Sequence, residues 1–262
     1  MLSILRSIFK ERPAPRQQAE GRLRLSSATW PNAIYAIGDV HGCLDLLRQL
    51  EKTIAADAKK LGGEAWIVCL GDYVDRGPKS ASVLDYLLAP QPDGLKRICL
   101  AGNHETLMLD HLRDASMSGG WLDLGAAETL ASYGIDVQSY VGLSRTARKQ
   151  ILASHIPSEH QDFLAELPIV LSLPGATFVH AGLRPGVPLE EQSDDDMLWI
   201  RREFLDHPHA DGPWIVHGHT PVRQLEIDGK RIAVDTGAFA TGRLSAVRLR
   251  AKGAPVVLHA DA

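Results

Sequence analysis

The sequence predicts a mixed α/β domain in which two packed mixed β-sheets are flanked by helices. Three observations support this fold class. Short apolar runs alternate with helical apolar spacing in the first half of the chain, short β-like runs are more frequent in the second half, and no Pro-, Gly- or Ser-rich linker divides the chain. With 262 residues, of which 45% are hydrophobic, the chain is long enough to bury a large core. We therefore expect one folded domain.

Strand-like runs and helical segments alternate in the first half of the chain. The apolar runs cover residues 34–37, 66–70 and 98–100. Apolar residues at helical spacing follow the first and third runs, at Leu47, Leu50, Ile54 and Leu61 and at Met108, Leu109 and Leu112. This alternation predicts βαβ units.

The second half contains short β-like runs at residues 177–179, 214–216, 231–234, 244–248 and 256–258. Between the two halves, residues 116–161 carry mainly helical signals, and we interpret them as a cap-like insertion that faces the substrate. Gly119 and Gly120 are the candidate hinge of this insertion. Trp121 is its candidate lid residue, with an ordinary core tryptophan as the alternative.

Residues 1–26 are expected to form a flexible tail that precedes a domain of residues 27–262. Arg6 interrupts the apolar stretch of the first ten residues and no small-residue cleavage site follows, so we do not expect this segment to act as a signal peptide or a membrane span. Contact of the tail with a membrane or a partner is the alternative to disorder.

Charge and cysteine content restrict the partners and the compartment. The formal net charge is -4 and the pI is near 6.2, which provides no general attraction to nucleic acid or anionic lipid. Two of the three cysteines, Cys69 and Cys99, lie in apolar runs, where a buried thiol is the usual interpretation. We therefore expect a cytoplasmic protein that does not bind nucleic acid.

Each of the first three apolar runs is followed by a block of polar residues and glycines. The blocks are GDVHG at 38–42, GDYVDRG at 71–77 and GNHE at 102–105. Their Asp39, His41, Asp72 and Asn103 offer carboxylate, imidazole and amide ligands at the ends of buried strands, which share one rim of a sheet. Two divalent cations about 3.5–4 Å apart require a bridging oxygen ligand, for which Asp72 is the candidate. The blocks predict a two-metal phosphoesterase.

These blocks resemble those of the phosphoprotein phosphatase family of metallophosphoesterases. The likeness is to the bacterial branch that includes the lambda-phage protein phosphatase, a serine/threonine phosphatase, and symmetrical dinucleoside tetraphosphatases. VHAGL at 179–183 and HGHTP at 217–221 extend it, and LWIRR at 198–202 resembles the segment that supplies a phosphate-binding arginine. The blocks follow the family's order from about residue 34 to residue 242. The resemblance implies a calcineurin-like metallophosphoesterase domain with two packed mixed β-sheets.

The resemblance also implies which residues hold metal ions. One ion would be held by Asp39, His41 and Asp72, and the other by Asp72, Asn103, His180 and His219. His217 is excluded, because in the family pattern only the histidine after the glycine binds metal. Mn²⁺ is the expected metal, with Fe or Zn²⁺ as alternatives, since histidine, carboxylate and amide ligands suit all three.

The catalytic roles follow from the same resemblance. Arg76 and Arg201 would bind phosphate oxygens, together with Asn103, because the planar guanidinium matches that group. A solvated surface side chain is the alternative for Arg201. His104 would protonate the leaving oxygen, with Asp75 orienting its imidazole. The implied reaction is direct in-line attack by a water or hydroxide shared between the two ions, without a phosphoenzyme.

Three functions compete at this stage. A protein phosphatase that acts on a phosphoprotein or phosphopeptide is favoured by Asp75, Arg76 and the block at 103–105. Its expected substrates are phosphoserine and phosphothreonine, with phosphotyrosine as a further alternative. The alternative is a symmetrical dinucleoside tetraphosphate hydrolase, whose family pattern tends to have aspartate at the position of Glu105 and to lack the carboxylate of Asp75. A non-catalytic phosphate- or metal-sensing module is disfavoured, because the proposed bridge and acid residues are all present.

Overall fold

The fold is that of a computed structural model, in which residues 21–91, 94–116 and 120–262 are described. The predicted fold class is confirmed: two mixed β-sheets pack together and helices flank them. Most of the predicted flexible tail, residues 1–20, lies outside the described residues, and so does the candidate hinge residue Gly119.

The first sheet has five strands. In spatial order they are β11 (Val256–Asp261), β10 (Arg243–Leu249), β2 (Ala33–Ile37), β3 (Ala65–Cys69) and β4 (Leu95–Cys99). Strands β2, β3 and β4 are parallel, and β10 is antiparallel to both of its neighbours. The predicted βαβ units therefore form the parallel half of this sheet.

The second sheet has six strands. In spatial order they are β1 (Arg24–Ser26), β5 (Val170–Leu173), β6 (Ala176–Val179), β7 (Trp214–His217), β9 (Arg231–Ala233) and β8 (Glu226–Asp228). Strands β6, β7 and β9 are parallel. The predicted start of the domain at residue 27 is too late, because β1 pairs in register with β5 and thus belongs to this sheet.

Both faces of strand β2 are buried. Ile34 and Ala36 pack in the core between the two sheets, with Phe178 of β6 from the other sheet. Tyr35 and Ile37 belong instead to the core beneath the helices. Burial on both faces explains why the run is uniformly apolar rather than alternating.

The helices cover the outer faces and fill the connections. They are α1 (Leu44–Leu61), α2 (Ser80–Leu88), α3 (Asn103–Asp114), α4 (Ala126–Ser132), α5 (Val137–Val141), α6 (Arg145–His155), α7 (Ser158–Glu166), α8 (Asp194–Trp199), α9 (Arg202–Leu205) and α10 (Ala238–Thr241), with 3₁₀ helices at Leu122–Leu124 and Leu189–Glu191. Within the described part of the chain, no helix is both long and apolar enough to cross a membrane.

Helices α4 to α7 occupy most of the predicted insertion. Helix α4 packs on α2, while α6 and α7 pack on α3. Trp121 is only 1% exposed, and its indole N–H donates a hydrogen bond to the Asp75 carboxylate at 2.8 Å. The lid interpretation of Trp121 is therefore wrong, because a lid residue must be able to reach solvent and substrate.

Candidate active site

Six buried polar side chains meet where parallel strands of the two sheets end. They follow β2, β3, β4, β6, β7 and β9, respectively: Asp39, Asp72, Asn103, His180, His219 and Asp235. The carboxyl ends of parallel strands lie at one edge of a sheet, so each sheet contributes three of these residues. Contacts between the two sets join the sheets: His180 Nε2 lies 2.9 Å from Asn103 Oδ1.

Asp72 lies at the centre of this cluster. Its Oδ1 is 3.4 Å from His180 Nε2, and its Oδ2 is 3.6 Å from His41 Nε2. Two groups of side chains have ligand atoms within 4.8 Å of one another and could each hold an ion: His41, Asp72 and His104, and Asp72, His180 and His219. Asp72 belongs to both groups, and each of its oxygens faces a different imidazole, as a bridging ligand requires.

The backbone fixes two of the imidazoles with an unprotonated nitrogen toward the cluster. His41 Nδ1 lies 2.8 Å from the Val74 carbonyl and His180 Nδ1 lies 3.0 Å from the Leu70 carbonyl, so in each ring Nδ1 carries the proton and donates. Burial lowers the pKa of His180 to about 4, which keeps it neutral. Its Nε2 lone pair therefore faces the acceptor Asn103 Oδ1. Such an arrangement fits a divalent cation between the two atoms.

Asp39 was predicted to share one ion with His41 and Asp72. It is buried in the cluster, and the group that contains His41 and Asp72 also contains His104. Both Asp39 oxygens accept from the backbone N–H of His219, at 3.1 and 3.2 Å. Burial, followed by the charges of Asp235 and Asp72, raises the pKa of Asp39 well above its usual range.

Asp235 is a residue of the cluster that the sequence interpretation missed. It lies two positions after the end of β9, is 1% exposed and shares a side-chain hydrogen bond with Asp39. Its Oδ1 accepts from the Gly237 backbone N–H at 2.8 Å. The available signal was its position after an apolar run, which is the same signal that identified Asp72.

Glu105 joins two of the ligand loops. One carboxylate oxygen accepts from the backbone N–H groups of Asp72 (2.8 Å) and Gly102 (2.9 Å), and the other accepts from Tyr73 (2.7 Å) and Val74 (3.3 Å). Burial and the charge of Asp72 raise the pKa of Glu105 to about 7. The sequence interpretation used this residue only to compare families and did not foresee that it holds the loops.

The loops around the cluster have unusual backbone conformations. Among the described residues, six non-glycine residues have positive φ, and five of them are predicted site residues: His41, Asp72, Asp75, Arg76 and His219. Such conformations cost free energy and occur often at functional sites. Glycine is required beside them at Gly218, where an added Cβ would overlap Asp39 Oδ1.

His104 and Asp75 form a buried pair next to Asp72. His104 Nδ1 lies 2.7 Å from Asp75 Oδ2, and both side chains are at most 1% exposed. Burial by itself would lower the pKa of His104, but the carboxylates of Asp72 and Asp75 raise it above its ordinary value. A proton on His104 therefore has the environment expected of a general acid.

The two predicted phosphate-binding arginines lie on different sides of the cluster. Arg76 Nη1 is 2.8 Å from His41 Nε2. Arg201 is exposed, and its Nη1 donates to Thr220 Oγ1 at 3.4 Å, one residue beyond His219. Arg201 also lines a cavity of about 500 Å³.

Two exposed aromatic rings flank the cluster, and the sequence interpretation did not consider them. Phe239 is 41% exposed, with its ring centroid 5.4 Å from that of His41. Trp199 is 37% exposed, with its ring centroid 6.1 Å from that of His219, and it lines the same cavity as Arg201. Each ring therefore contacts a different side of the candidate metal site.

His217, which the sequence interpretation excluded as a ligand, lies in the core behind the cluster. It is fully buried, and its ring packs edge-on against Phe204 at a centroid distance of 5.0 Å. Burial lowers its pKa to about 3, so it remains neutral within the core.

Comparison with known proteins agrees with this geometry. A symmetrical bis(5'-nucleosyl)-tetraphosphatase from Nitrosococcus oceani is 30% identical over 190 residues, which are 69% of this chain and 57% of that protein. The chain thus spans little more than half the length of this relative. Serine/threonine-protein phosphatase 1 from Salmonella typhimurium is 26% identical over 87% of this chain and 96% of its own.

A solved structure assigned as a diadenosine tetraphosphatase has a similar fold, with a TM-score of 0.60 and 20% identity over 90% of this chain and 97% of its own. Residues 33–260 match the sequence model of the calcineurin-like phosphoesterase family. This range begins at β2 and includes every strand whose end contributes to the cluster. The chain therefore belongs to the calcineurin-like phosphoesterase family of metal-dependent hydrolases.

Proposed function

We propose that this hydrolase is a phosphomonoesterase of the phosphoprotein phosphatase branch, acting on phosphoserine and phosphothreonine in proteins. The observation that carries the proposal is the buried pair of His104 and Asp75, with 2.7 Å between Nδ1 and Oδ2. The pair adjoins Asp72, since His104 Nε2 lies 3.8 Å from Asp72 Oδ2. Nε2 is thus the ring nitrogen that would donate a proton toward substrate.

The leaving group determines how much such an acid contributes. Hydrolysis of a serine or threonine phosphate expels an alkoxide, which is a strong base and needs a proton as the P–O bond breaks. Hydrolysis of a dinucleoside tetraphosphate expels a nucleotide, which is a weak base and needs little help. General acids typically contribute about 10²–10⁴ in rate. An acid oriented by its own buried carboxylate therefore favours the alkyl phosphomonoester.

The residues proposed to hold metal ions are five members of the cluster together with His41, with Asp72 as the bridge. They are Asp39, His41, Asp72, Asn103, His180 and His219. Two divalent ions at this position would neutralise charge on the phosphoryl oxygens and lower the pKa of a water molecule. We propose Mn²⁺, because the set mixes imidazole with oxygen ligands.

Substrate oxygens would be bound by the two arginines and by the Asn103 amide. Arg76 and Arg201 flank the cluster on the sides of His41 and His219, so together they would hold one phosphoryl group from two directions. The two arginines supply positive charge beside the cluster, although the protein as a whole has a net charge of -4.

We place the enzyme in the cytoplasm because its three cysteines are free thiols.

A symmetrical dinucleoside tetraphosphate hydrolase is the second candidate, and a separate observation favours it. Phe239 exposes its ring beside His41 and Trp199 exposes its ring beside His219, where the two rings would stack on the two bases of such a substrate. Base stacking on aromatic side chains contributes about 1–3 kcal/mol per base. The tetraphosphatase from N. oceani is among the relatives of this chain.

A direct comparison of substrates separates the two candidates. The Mn²⁺-loaded enzyme is assayed with a phosphopeptide panel and with diadenosine tetraphosphate. We expect a higher kcat/KM for phosphoserine and phosphothreonine peptides, and His104→Asn should lower kcat for them far more than for p-nitrophenyl phosphate, whose leaving group is weakly basic. A tenfold or greater preference for the tetraphosphate, lost on Trp199→Ala and Phe239→Ala, would replace the first candidate with the second.

A further inference from the structure

The carboxylate of Asp75 is held by three side-chain donors, two of which come from the insertion. Oδ2 accepts from His104 Nδ1 at 2.7 Å and from Trp121 Nε1 at 2.8 Å. Oδ1 accepts from the Thr129 hydroxyl at 2.7 Å. Thr129 Oγ1 also accepts from the backbone N–H of Asp75 at 2.8 Å, so the hydroxyl binds both the backbone and the side chain of the same residue.

Neither donor can move freely. Trp121 is 1% exposed and Thr129 is fully buried. The Trp121 ring also packs against His111 of α3, with 5.0 Å between centroids. Thr129 lies in α4, which packs on α2. The position of the Asp75 carboxylate is therefore fixed by two buried side chains, one packed against α3 and the other held by the packing of α4 on α2.

The same segment also holds the backbone of the loop. The Arg76 N–H donates to the Gly125 carbonyl at 2.9 Å. Asp75 and Arg76 have φ values of 72° and 66°, a conformation that costs free energy in non-glycine residues and needs external contacts to persist. Residues 121–129 supply these contacts to both residues.

We propose that residues 121–129 of the insertion are a positioning element for the general acid, acting through Asp75. The two donors fix the carboxylate so that only one orientation remains for the His104 ring, with Nε2 toward the substrate. This inference rests on the proposed function, in which His104 is the acid. It gives the insertion a catalytic purpose different from that of a cap over the substrate.

Substitutions that remove one hydrogen-bonding group and preserve shape test the inference. Thr129→Val deletes the hydroxyl, Thr129→Ser retains it, and Trp121→Phe deletes the indole N–H while keeping an aromatic ring. In the Mn²⁺-loaded enzyme we expect Thr129→Val and Trp121→Phe each to lower kcat for a phosphoserine peptide tenfold or more, with KM unchanged. With p-nitrophenyl phosphate both should remain within threefold of the wild type, and Thr129→Ser should restore the peptide activity.

The matched control is Ser132→Ala on the same helix. The Ser132 hydroxyl accepts from the backbone N–H of Ala81 at 3.1 Å and donates to the Thr129 carbonyl at 2.7 Å, but it forms no hydrogen bond with Asp75 within the described structure. This variant should lose activity equally on both substrates, if at all. Equal losses on both substrates in Thr129→Val and Trp121→Phe would overturn the inference and leave these residues a purely structural role.

A second measurement does not depend on turnover. In the metal-free protein, the ¹H and ¹⁵N signals of His104 Nδ1–H report its hydrogen bond to Asp75. Thr129→Val and Trp121→Phe should shift or broaden these signals, whereas Ser132→Ala should not. Unchanged signals in both would overturn the inference. A different result would overturn the proposed function alone. In that case His104→Asn lowers kcat equally for the phosphoserine peptide and for p-nitrophenyl phosphate, while the His104 signals still change in Thr129→Val and Trp121→Phe.

Discussion

Replacing Glu105 with glutamine should make the stability of the metal-free protein less sensitive to pH between pH 5 and pH 8 and at the same time weaken metal binding. The Glu105 carboxylate is fully buried beside Asp72. Burial and the charge of Asp72 raise its pKa from 4.5 to about 7, and the backbone hydrogen bond from Tyr73 acts in the opposite direction without outweighing them. The folded protein therefore holds a proton on Glu105 more tightly than the unfolded chain does.

The sign and size of the pH effect follow from linkage. The stability that protonated Glu105 contributes is complete below pH 4.5 and is lost as the pH rises through about 7. This difference in pKa corresponds to about 3 kcal/mol in the free energy of unfolding. Glutamine resembles the protonated acid in shape and in charge. Between pH 5 and pH 8 the variant should therefore gain about 2–3 kcal/mol relative to the wild type.

Metal binding should respond in the opposite direction. Glutamine has one acceptor oxygen, so its amide NH₂ would face either the N–H groups of Asp72 and Gly102 or those of Tyr73 and Val74. Each hydrogen bond to the carboxylate that is lost is worth about 1.5–3 kcal/mol. The loop that carries Asp72 should relax, and we expect the affinity for Mn²⁺ to fall tenfold or more.

Urea unfolding in the presence of a chelator, at pH 5 and pH 8, measures the first effect, and calorimetric Mn²⁺ titration measures the second. Glu128→Gln is the matched control, because it makes the same replacement at an exposed position of α4 and should change neither quantity. The reasoning is refuted if the wild type gains stability relative to Glu105→Gln between pH 5 and pH 8, or if the difference does not depend on pH.

Three further predictions concern the bridge, the arginines and the core. Asp72→Asn should bind fewer than two Mn²⁺ ions per chain and lose nearly all activity while retaining its far-UV circular dichroism; two bound ions with full turnover would contradict the bridge assignment. Arg76→Ala and Arg201→Ala should each impair both KM and kcat for a phosphopeptide, by about 1.5–3 kcal/mol in kcat/KM; steady-state kinetics that show a loss in only one constant would count against a shared phosphate clamp. Burial lowers the pKa of His217 to about 3, so the stability contributed by its neutral ring is lost as the pH falls below 6.5, by about 2 kcal/mol at pH 5. In urea unfolding, the free energy of unfolding of His217→Gln should therefore fall by about 2 kcal/mol less than that of the wild type between pH 6.5 and pH 5.

The sequence could predict which polar residues gather at the cluster, because a local rule identifies them. A polar residue one to three positions after a buried apolar run lies near a strand end, and parallel strands bring such ends together. Asp72, Asn103 and His180 all satisfy this rule. Asp235 satisfies this rule too. However, β9 brings it to the cluster only because β9 is parallel to β7, and the apolar run itself does not reveal that pairing.

Long-range hydrogen bonds were beyond such a rule. Trp121 and Thr129 lie 46 and 54 positions from Asp75 in the chain, and nothing in the helical pattern of their segment links either of them to that carboxylate. The packing of α4 on α2 brings Thr129 there, and the packing of Trp121 against His111 of α3 brings the indole there. The exposure of Phe239 and Trp199 is likewise a property of the folded surface, since neighbouring apolar residues in the same runs are buried.

The structure of this site explains why its stability and its chemistry should respond in opposite directions to the same substitution. The site combines two features that reduce the free energy of unfolding. It has three buried aspartates whose pKa values are raised chiefly by burial, and five site residues have strained backbone conformations. The compensating contacts come from Glu105 of α3 and from residues 121–129. Divalent ions would offset the carboxylate repulsion directly, so metal binding and folding must be thermodynamically coupled here. A variant that removes the charge of a proposed ligand, such as Asp72→Asn, relieves this repulsion in the metal-free fold, and for the same reason gives the ions less to bind.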